Sequence, residues 1–480
     1  MSRTAKSIIL SLCALSAAHG GVIAAEEDST AKAAVLLSKV TDETSPDECG
    51  KIARQIAAMG PGSAPKLIET FGVGNPWNVQ KVAADALVQM GPLIVEPCLR
   101  ALRDDPPPCS RAQMLAEVIE KVRGAAAVKG LAAIAEGTEV KGPDFAIRHK
   151  RRLAVAALGK IGGEDEVPIL EKLVNDGSVC HDVVRALGSV GGKRAEAIVA
   201  KMLDDEEDKL SRMDTAIEAL RDMKAAQAAP RVARCLSSTR DEVVVAALRF
   251  LGEMGYAPAI SNIATHIESK KIDVARAAAQ AVAEDSLLKN ARQAADWAQV
   301  ERQLYGKLSK VLSSAKDQDL RRDVARAIFM LGFADDTVTV AVRDEKDTAV
   351  QSSLIQLLGK KGDRQFVPLL LGIVGEEKST PGVRRLAAGA LADIGSENAL
   401  APLIGLLDSN PTEVSWAVAK AIERISGKSF EVPEDATPVS RIGEHISADD
   451  KHKKEFSEWL TKLAEAKKRI RSWWDKRGET

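Results

Sequence analysis

The sequence predicts an all-α fold, an α-solenoid of about 11–12 helix pairs wound as a right-handed superhelix with a C-terminal helical extension. Aromatic residues make up only 3% of the 480 residues, whereas small and aliphatic side chains that suit close helix packing are frequent. Strand-forming residues do not recur with a period of two. Apolar helical stripes instead end near a glycine at regular intervals, as expected of a repeated helix unit.

One helix of each unit, called the first helix, is clearest at Val383, Ala387, Leu391 and Ile394. These residues lie 12, 8, 4 and 1 positions before Gly395, so all four share one helical stripe. The glycine predicts the left-handed conformation that ends many helices. Equivalent endings recur 29 to 33 residues apart, except for spacings of 38 and 46, at Gly60, Gly91, Gly124, Gly162, Gly191, Lys224, Gly255, Ser286, Gly332, Gly362, Gly395 and Ser426. A period of this length indicates a stacked array.

A proline begins the second helix of many units. It follows the ending of the first helix by five to seven residues at Pro65, Pro97, Pro168, Pro230, Pro368 and Pro402. Proline is tolerated there because an N–H in the first turn has no partner within the helix. First helices are predicted to begin with a capping side chain before proline at Asn75-Pro76, Thr380-Pro381 and Asn410-Pro411.

The pattern resembles the HEAT-repeat family, in the short variety named for phycobilisome lyases. A unit of that family has a proline-led helix, an Asp turn, Val-Arg and an Ala-rich helix that ends in Gly. Pro368 to Gly395 matches best, with Val383-Arg384, whereas the second position departs in Val79-Gln80, Val350-Gln351 and Val414-Ser415. The resemblance covers roughly residues 45–427 and extends to exported bacterial HEAT-repeat proteins. It implies the fold and hardly constrains the function.

Three segments are predicted: a signal peptide at 1–25, a HEAT-like solenoid at 26–428, and an extended segment with a Trp-containing helix at 429–480. Arg3 and Lys6 precede an apolar run from Ile8 to Ala18, which is typical of a secretory signal. We therefore expect an exported protein, periplasmic or extracellular. The run is shorter than the about 20 residues that cross a bilayer, and no later stretch is expected to reach that length.

The repeat period is broken at three places. A stiff connection is predicted at Asp104–Pro108 and a surface loop at Ala135–Ile147. The third break is an insertion at 287–316, where Ala291–Leu312 is predicted to form one lengthened helix. Such an insertion either carries a function on one face of the array or only alters its curvature.

The composition excludes several classes of function. Lys and Arg number 67 against 68 Asp and Glu, a formal net charge of −1, which gives no electrostatic signal for nucleic acid. The GxSxG, GxxxxGK[ST] and HExxH motifs are absent from the sequence, as are CxxC and the His-Glu dipeptide. We therefore predict a protein that is not an enzyme and has no cofactor or metal site.

Two functions remain open. The first is a non-catalytic scaffold that binds a protein or an extended peptide in a groove lined by the second helices. The second is an accessory or lyase-like role, implied by the resemblance to chromophore lyases. The predicted groove positions lie three or four residues after each proline or its equivalent, at Glu69, Arg100, Glu171, Lys172, Lys201 and Arg234.

The C-terminal segment is predicted to cap the array. The last repeat leaves an apolar face with no following unit. The groove positions after the second-helix prolines also change from charged to apolar residues there. We expect residues 429–474 to fold back over this end, with Phe430, Trp459, Trp473 and Trp474 covering it. The alternative is a free Trp-rich helix that docks onto a partner.

Overall fold

The computed structural model describes residues 28–72, 74–204, 212–332, 336–408, 411–434 and 450–478. The predicted signal peptide lies outside these residues, as does most of the predicted extended segment. The chain divides into two compact units, up to Cys235 and from Leu236 onwards. The described residues contain helices and no β-strand.

The first unit alternates second and first helices. The second helices are the odd-numbered ones and the first helices the even-numbered ones: α1 (28–37), α2 (Pro46–Ala57), α3 (Ala64–Glu69), α4 (Trp77–Met90), α5 (Val95–Asp104), α6 (Ala112–Val122), α7 (Ala125–Glu136), α8 (Asp144–Ile161), α9 (Val167–Leu173), α10 (Cys180–Val190), α11 (Gly192–Lys201), α12 (Met213–Asp222) and α13 (Ala229–Arg234). Each first helix packs on the next first helix in the row.

The second unit continues this arrangement with first helices α14, α16, α19, α21, α23 and α25. Its helices are α14 (Asp241–Glu253), α15 (Ile260–His266), α16 (Ile272–Val282), α17 (Asp285–Ala291), α18 (Trp297–Ser314), α19 (Gln318–Leu331), α20 (Asp336–Asp344), α21 (Thr348–Lys361), α22 (Val367–Gly375), α23 (Pro381–Ile394), α24 (Leu400–Gly405), α25 (Thr412–Ser426) and α26 (Asp450–Gly478). The predicted all-α solenoid is confirmed.

Glycines end the first helices as the sequence predicts. Gly395, for example, has φ 66° and donates its N–H to the carbonyl of Leu391. At two predicted endings a residue other than glycine has a positive φ, Arg123 before Gly124 and Lys224, with φ of 58° and 55°. The ending at Ser286 is wrong. Helix α16 stops at Val282, and Ser286 lies in α17, where its hydroxyl donates to the carbonyl of Gly252 at 2.9 Å.

The predicted apolar stripe forms the core of each repeat. Ala387 and Leu391 of α23 are fully buried and Val383 is 1% exposed. The second-helix prolines lie in the first turn, as expected. Of the predicted caps, Thr380 accepts from the N–H of Val383 at 3.4 Å. Asn75 does not cap, because its amide donates instead to the carbonyl of Thr70 at 2.9 Å; Asn410 lies outside the described residues.

A second glycine lets neighbouring first helices approach closely. It lies three residues before the terminal glycine and faces an alanine of the next first helix. A Cβ built on this glycine would come 2.6 to 3.0 Å from the nearest atom of the alanine, in the pairs Gly159–Ala186, Gly188–Ala219, Gly252–Ala281 and Gly359–Ala390. A side chain larger than hydrogen at any of these positions would crowd the facing alanine, and the neighbouring helix would have to shift to admit it.

Residues that depart from the Val-Arg pattern have the same role as the arginine. Arg384 is buried, and its Nε donates to the carbonyl of Val374, at the end of α22, at 2.9 Å. Gln351 donates to Val342 O at 3.0 Å, and Ser415 donates to Leu407 O at 2.8 Å. Gln80 reaches Gly72 O and Asn75 O in the first unit. Each side chain satisfies a carbonyl that the preceding second helix or its turn leaves without a partner.

The breaks in the period differ in part from the prediction. The segment 291–312 is not one helix, because α17 ends at Ala291 and α18 begins at Trp297. The predicted surface loop is present at 137–143, between α7 and α8. Lys150, which is 1% exposed, occupies the stripe position taken by Val383 in α23 and anchors this loop. Its Nζ donates to Arg103 O at 2.7 Å and to Lys141 O at 3.4 Å.

One stretch among the described residues, Trp77–Asp104, is long and apolar enough to cross a membrane by length and composition. This finding differs from the prediction that no stretch after the signal peptide reaches that length. Half of its most apolar window is buried inside the protein, since Ala83, Leu87 and Leu99 belong to the repeat core.

Candidate protein-interaction surfaces

The six predicted groove residues are all exposed on second helices of the first unit. Glu69 pairs with Lys66 of its own helix at 3.2 Å. Glu171 pairs with Arg194 of the next second helix at 2.9 Å. The adjacent Thr70 is buried, and its hydroxyl donates to Leu67 O at 2.6 Å.

The other groove residues are cationic. Arg234 binds Asp204 at 2.5 Å, and Arg231 binds the same carboxylate at 3.1 Å. These contacts lower the pKa of Asp204, the hydrogen bond from Arg234 being the largest cause. Arg100, Lys172 and Lys201 have exposed side chains that form no ion pair with another described residue. The surface therefore presents three lysine or arginine side chains available to an anionic group.

The positions three and four residues after the second-helix prolines carry less charge in the last repeats. Leu371 and Leu406 are half-buried, and Gly372 and Gly405 are exposed. No charged side chain stands at these four positions, so the change from charged to apolar residues follows the sequence.

Helix α26 packs on α25, which is the final member of the row of first helices. Phe430 and Trp459 are 5% and 7% exposed, and Ala466 and Ile470 are fully buried. The ring of Trp473 is half-buried 5.3 Å from that of Phe430. The C-terminal residues that the structure describes therefore cover the apolar face of α25.

Phe430, Trp473, Trp474 and Arg477 form a cluster beside the end of α26. The Trp473 and Trp474 rings lie 5.9 Å apart, and the Arg477 guanidinium stands over both, 5.7 and 5.9 Å from their centroids. Arg477 also pairs with Glu397, just before α24, at 2.9 Å. This contact connects the last turn of α26 with the final second helix.

Two side chains of α25 hold the segment that leads away from it by hydrogen bonds to its backbone. Trp416 Nε1 donates to Pro433 O at 2.8 Å. Glu423 Oε1 accepts from the N–H of Phe430 at 2.7 Å and of Val432 at 3.3 Å. Burial favours the neutral form of Glu423, but these hydrogen bonds and Lys420 outweigh it and lower the pKa of the carboxyl.

A cleft between α8 and α10 was not identified from the sequence. Its lining residues come from two neighbouring repeats, from Phe145 to Arg185, so no local motif marks them. The sequence does contain one indication of the cleft, since Arg152 and His181 occupy the same position in consecutive first helices.

The two remaining kinds of site are metal centres and disulfide bonds. Among the described residues, no three His, Cys, Asp or Glu side chains come together as metal ligands would. The five cysteines of the described chain are free thiols, four of them buried. Burial raises the pKa of the Cys98 thiol to about 12.

Comparison with known protein families identifies the repeat. Residues 335–423 match the family described as HEAT repeats. The chain carries HEAT repeats. The matched segment includes Pro368–Gly395, the unit in which the sequence resembles this family most closely, so that resemblance is confirmed.

Solved structures with HEAT-like folds cover more of the chain. Kap95p, described in its complex with RanGDP, is 13% identical over 92% of this chain and 66% of its own, with a TM-score of 0.57. Kap121p is 12% identical over 84% and 52%, with a TM-score of 0.42. The CpcE–CpcF phycocyanin lyase of Nostoc sp. PCC7120 is 19% identical over 54% and 94%, with a TM-score of 0.31. A search of the curated proteins found no match.

The family match and the similarity to Kap95p show the fold of the HEAT array and leave its partner undefined. Kap95p is similar along most of the chain, although few residues are identical. One fold serves many functions, so the function of this chain depends on its surface residues.

Proposed function

We propose that this protein is a non-catalytic protein-interaction scaffold of the periplasm or cell surface. The observation that carries the proposal is the line of exposed charged side chains on the second helices of the first unit, Arg100, Lys172 and Lys201 among them. A stack of helix pairs holds such side chains at fixed spacing, which suits an extended partner.

Two further points support the proposal. Kap95p, with a similar fold, binds another protein, RanGDP. The N-terminal charge and apolar pattern of residues 1–25 favours export. The lyase-like alternative rests on the family resemblance alone.

Site-specific photo-crosslinking in cells tests the scaffold proposal. A photoreactive amino acid at Arg100, Lys172 or Lys201 is expected to form discrete protein adducts. The same group at Arg54, exposed on the first helix α2, is the matched control and is expected to form none. The absence of adducts from all three second-helix positions contradicts the proposal.

Fractionation of the same cells tests export. The protein is expected in the periplasm or at the cell surface, with an N-terminus near Glu26 by mass spectrometry. An intact N-terminus on a cytoplasmic protein contradicts the localisation and leaves the scaffold proposal standing.

A further inference from the structure

The cleft between α8 and α10 opens on the row of first helices in the first unit, away from the predicted second-helix groove. It has a volume of about 610 Å³ and lies beside the N-terminal turns of both helices. Arg148, Arg152 and Arg185 are exposed along it, and Asp182 is the acidic residue among those that line it. With the lining histidines neutral, the formal charge of the cleft is +2.

The guanidinium groups differ in how they are held. Arg152 donates to both carboxylate oxygens of Asp182, at 2.8 and 3.5 Å. These contacts raise the pKa of Arg152, the hydrogen bond to Asp182 being the largest cause. Arg185 lies 3.8 Å from the same carboxylate. Arg148 forms no ion pair or side-chain hydrogen bond with any described residue, so its donors face solvent.

An aromatic side chain stands at the edge of the cleft. Phe145, in the first turn of α8, is 56% exposed, although it is one of the large apolar residues of the chain. Its neighbour Ala146 is fully buried in the core, which fixes the helix and holds the Phe145 ring outward. Arginine and aromatic side chains together are enriched at the centre of protein interfaces.

We propose that the α8–α10 cleft binds an acidic segment of a protein partner, with carboxylates at the arginines and an apolar side chain against Phe145. The proposal rests on the scaffold function and adds a second surface to it. Arginine pairs bidentately with carboxylates, and Arg148 has the donors to do so. Asp182 at the centre of the cleft disfavours a dense polyphosphate, whereas spaced carboxylates fit between the three arginines.

Fluorescence anisotropy with the mature chain tests the assignment. The probe is a labelled peptide in which Glu and Asp surround one Phe, compared with the same peptide carrying Gln and Asn. The acidic peptide is expected to bind and the neutral one not. Arg148→Glu with Arg185→Glu should weaken binding by about tenfold or more, since like charges then face the peptide. Phe145→Ala should weaken it at high salt, where charge attraction is screened.

A matched double variant is the control for net charge. Lys51→Glu with Arg54→Glu makes the same charge change on the first helix α2, outside both proposed surfaces, and is expected to leave peptide binding unchanged. All variants should melt like the wild type, because the substituted side chains are exposed. Equal binding of the two peptides, or full binding by the Arg148/Arg185 variant, overturns the proposal. Stronger competition by inorganic polyphosphate than by unlabelled peptide also overturns it.

The two proposals can fail separately. If the acidic peptide does not bind while crosslinks still form at Arg100 and Lys201, the cleft assignment is wrong and the scaffold function stands. If the peptide binds through Arg148 and Arg185 but the second-helix positions form no adducts, the predicted groove is wrong.

Discussion

Gly359 shows how little space separates neighbouring first helices. A Cβ at this position would lie 2.8 Å from the Ala390 Cα, and a backbone atom cannot rotate away as a side chain can. Gly359→Ala is expected to destabilise the protein by about 1–3 kcal/mol, through overpacking. Urea denaturation followed by circular dichroism measures this change.

Gly389, on the next first helix, is the matched control. It has no neighbouring atom within 4 Å of the built Cβ. Gly389→Ala should leave stability unchanged or raise it by up to about 1 kcal/mol, the gain in helix propensity. Equal destabilisation by both substitutions would show that the helices do not pack through Gly359.

The core stripe makes a second prediction at the residue scale. Leu158, Leu251 and Leu391 occupy equivalent positions in three first helices and are fully buried. Truncation of each to Ala should cost about 2–5 kcal/mol, because a cavity remains in a closely packed core. Unchanged melting temperatures for all three variants would contradict the repeat register.

Glu268 makes the stability depend on pH. It accepts from Lys310 at 2.6 Å and from Lys307 at 2.9 Å, on α18, and these hydrogen bonds lower the pKa of the carboxyl to about 2. The ionised form is favoured in the folded state, so its contribution is present above the unfolded pKa of about 4.3 and is lost as the pH falls towards 2.

Glu268→Gln tests this contribution. The urea midpoint should fall at neutral pH, by a small amount because exposed ion pairs contribute at most about 1 kcal/mol. The difference from the wild type should vanish near pH 2. Glu242→Gln, exposed on α14, is the control. A difference that is the same at pH 2 and pH 7 would contradict the role of the carboxylate.

At the scale of elements, α26 closes the array by covering α25. Ile470 is fully buried in this contact, and Lys468, two residues earlier, is exposed. Ile470→Asp should lower the melting temperature by several degrees and increase binding of a hydrophobic dye, since a charge would enter the apolar face. Lys468→Asp should do neither. Deletion of residues 429–480 should act like Ile470→Asp.

The two interpretations of the C-terminal helix differ in this experiment. A helix that only docks onto a partner would tolerate the deletion, with unchanged stability and lost partner binding. The burial of Phe430 and Trp459, the packing of α26 on α25 and the ion pair between Arg477 and Glu397 just before α24 favour the covering role.

At the scale of the whole molecule, much of the fold could be predicted because repetition amplifies weak local signals. Gly395 and its equivalents, and prolines such as Pro368, recur often enough to fix the frame of the helices. Where a unit lacks such a residue the prediction failed, as at Ser286, because α16 stops at Val282 and the residue after it, Ala283, has a right-handed conformation.

Features that join different repeats were harder to predict. The glycine at 359 matters only because Ala390 faces it from the next helix. Likewise, Gln351 and Ser415 depart from the Val-Arg pattern of the family in sequence. In the structure each donates to a carbonyl near the end of the preceding second helix, as Arg384 does in its own repeat. The groove residue Glu69 could be placed on the surface from its offset, whereas the cleft beside Arg148 required the packing of α8 against α10.

Hydrogen–deuterium exchange of the Gly359→Ala variant tests the central claim most directly, namely that each repeat is stabilised only by its neighbours. Exchange should accelerate in α19, α21 and α23, which are in or next to the strained contact, and stay at the wild-type rate in residues 28–235. Uniform acceleration throughout the chain would show a single cooperative core and contradict the account.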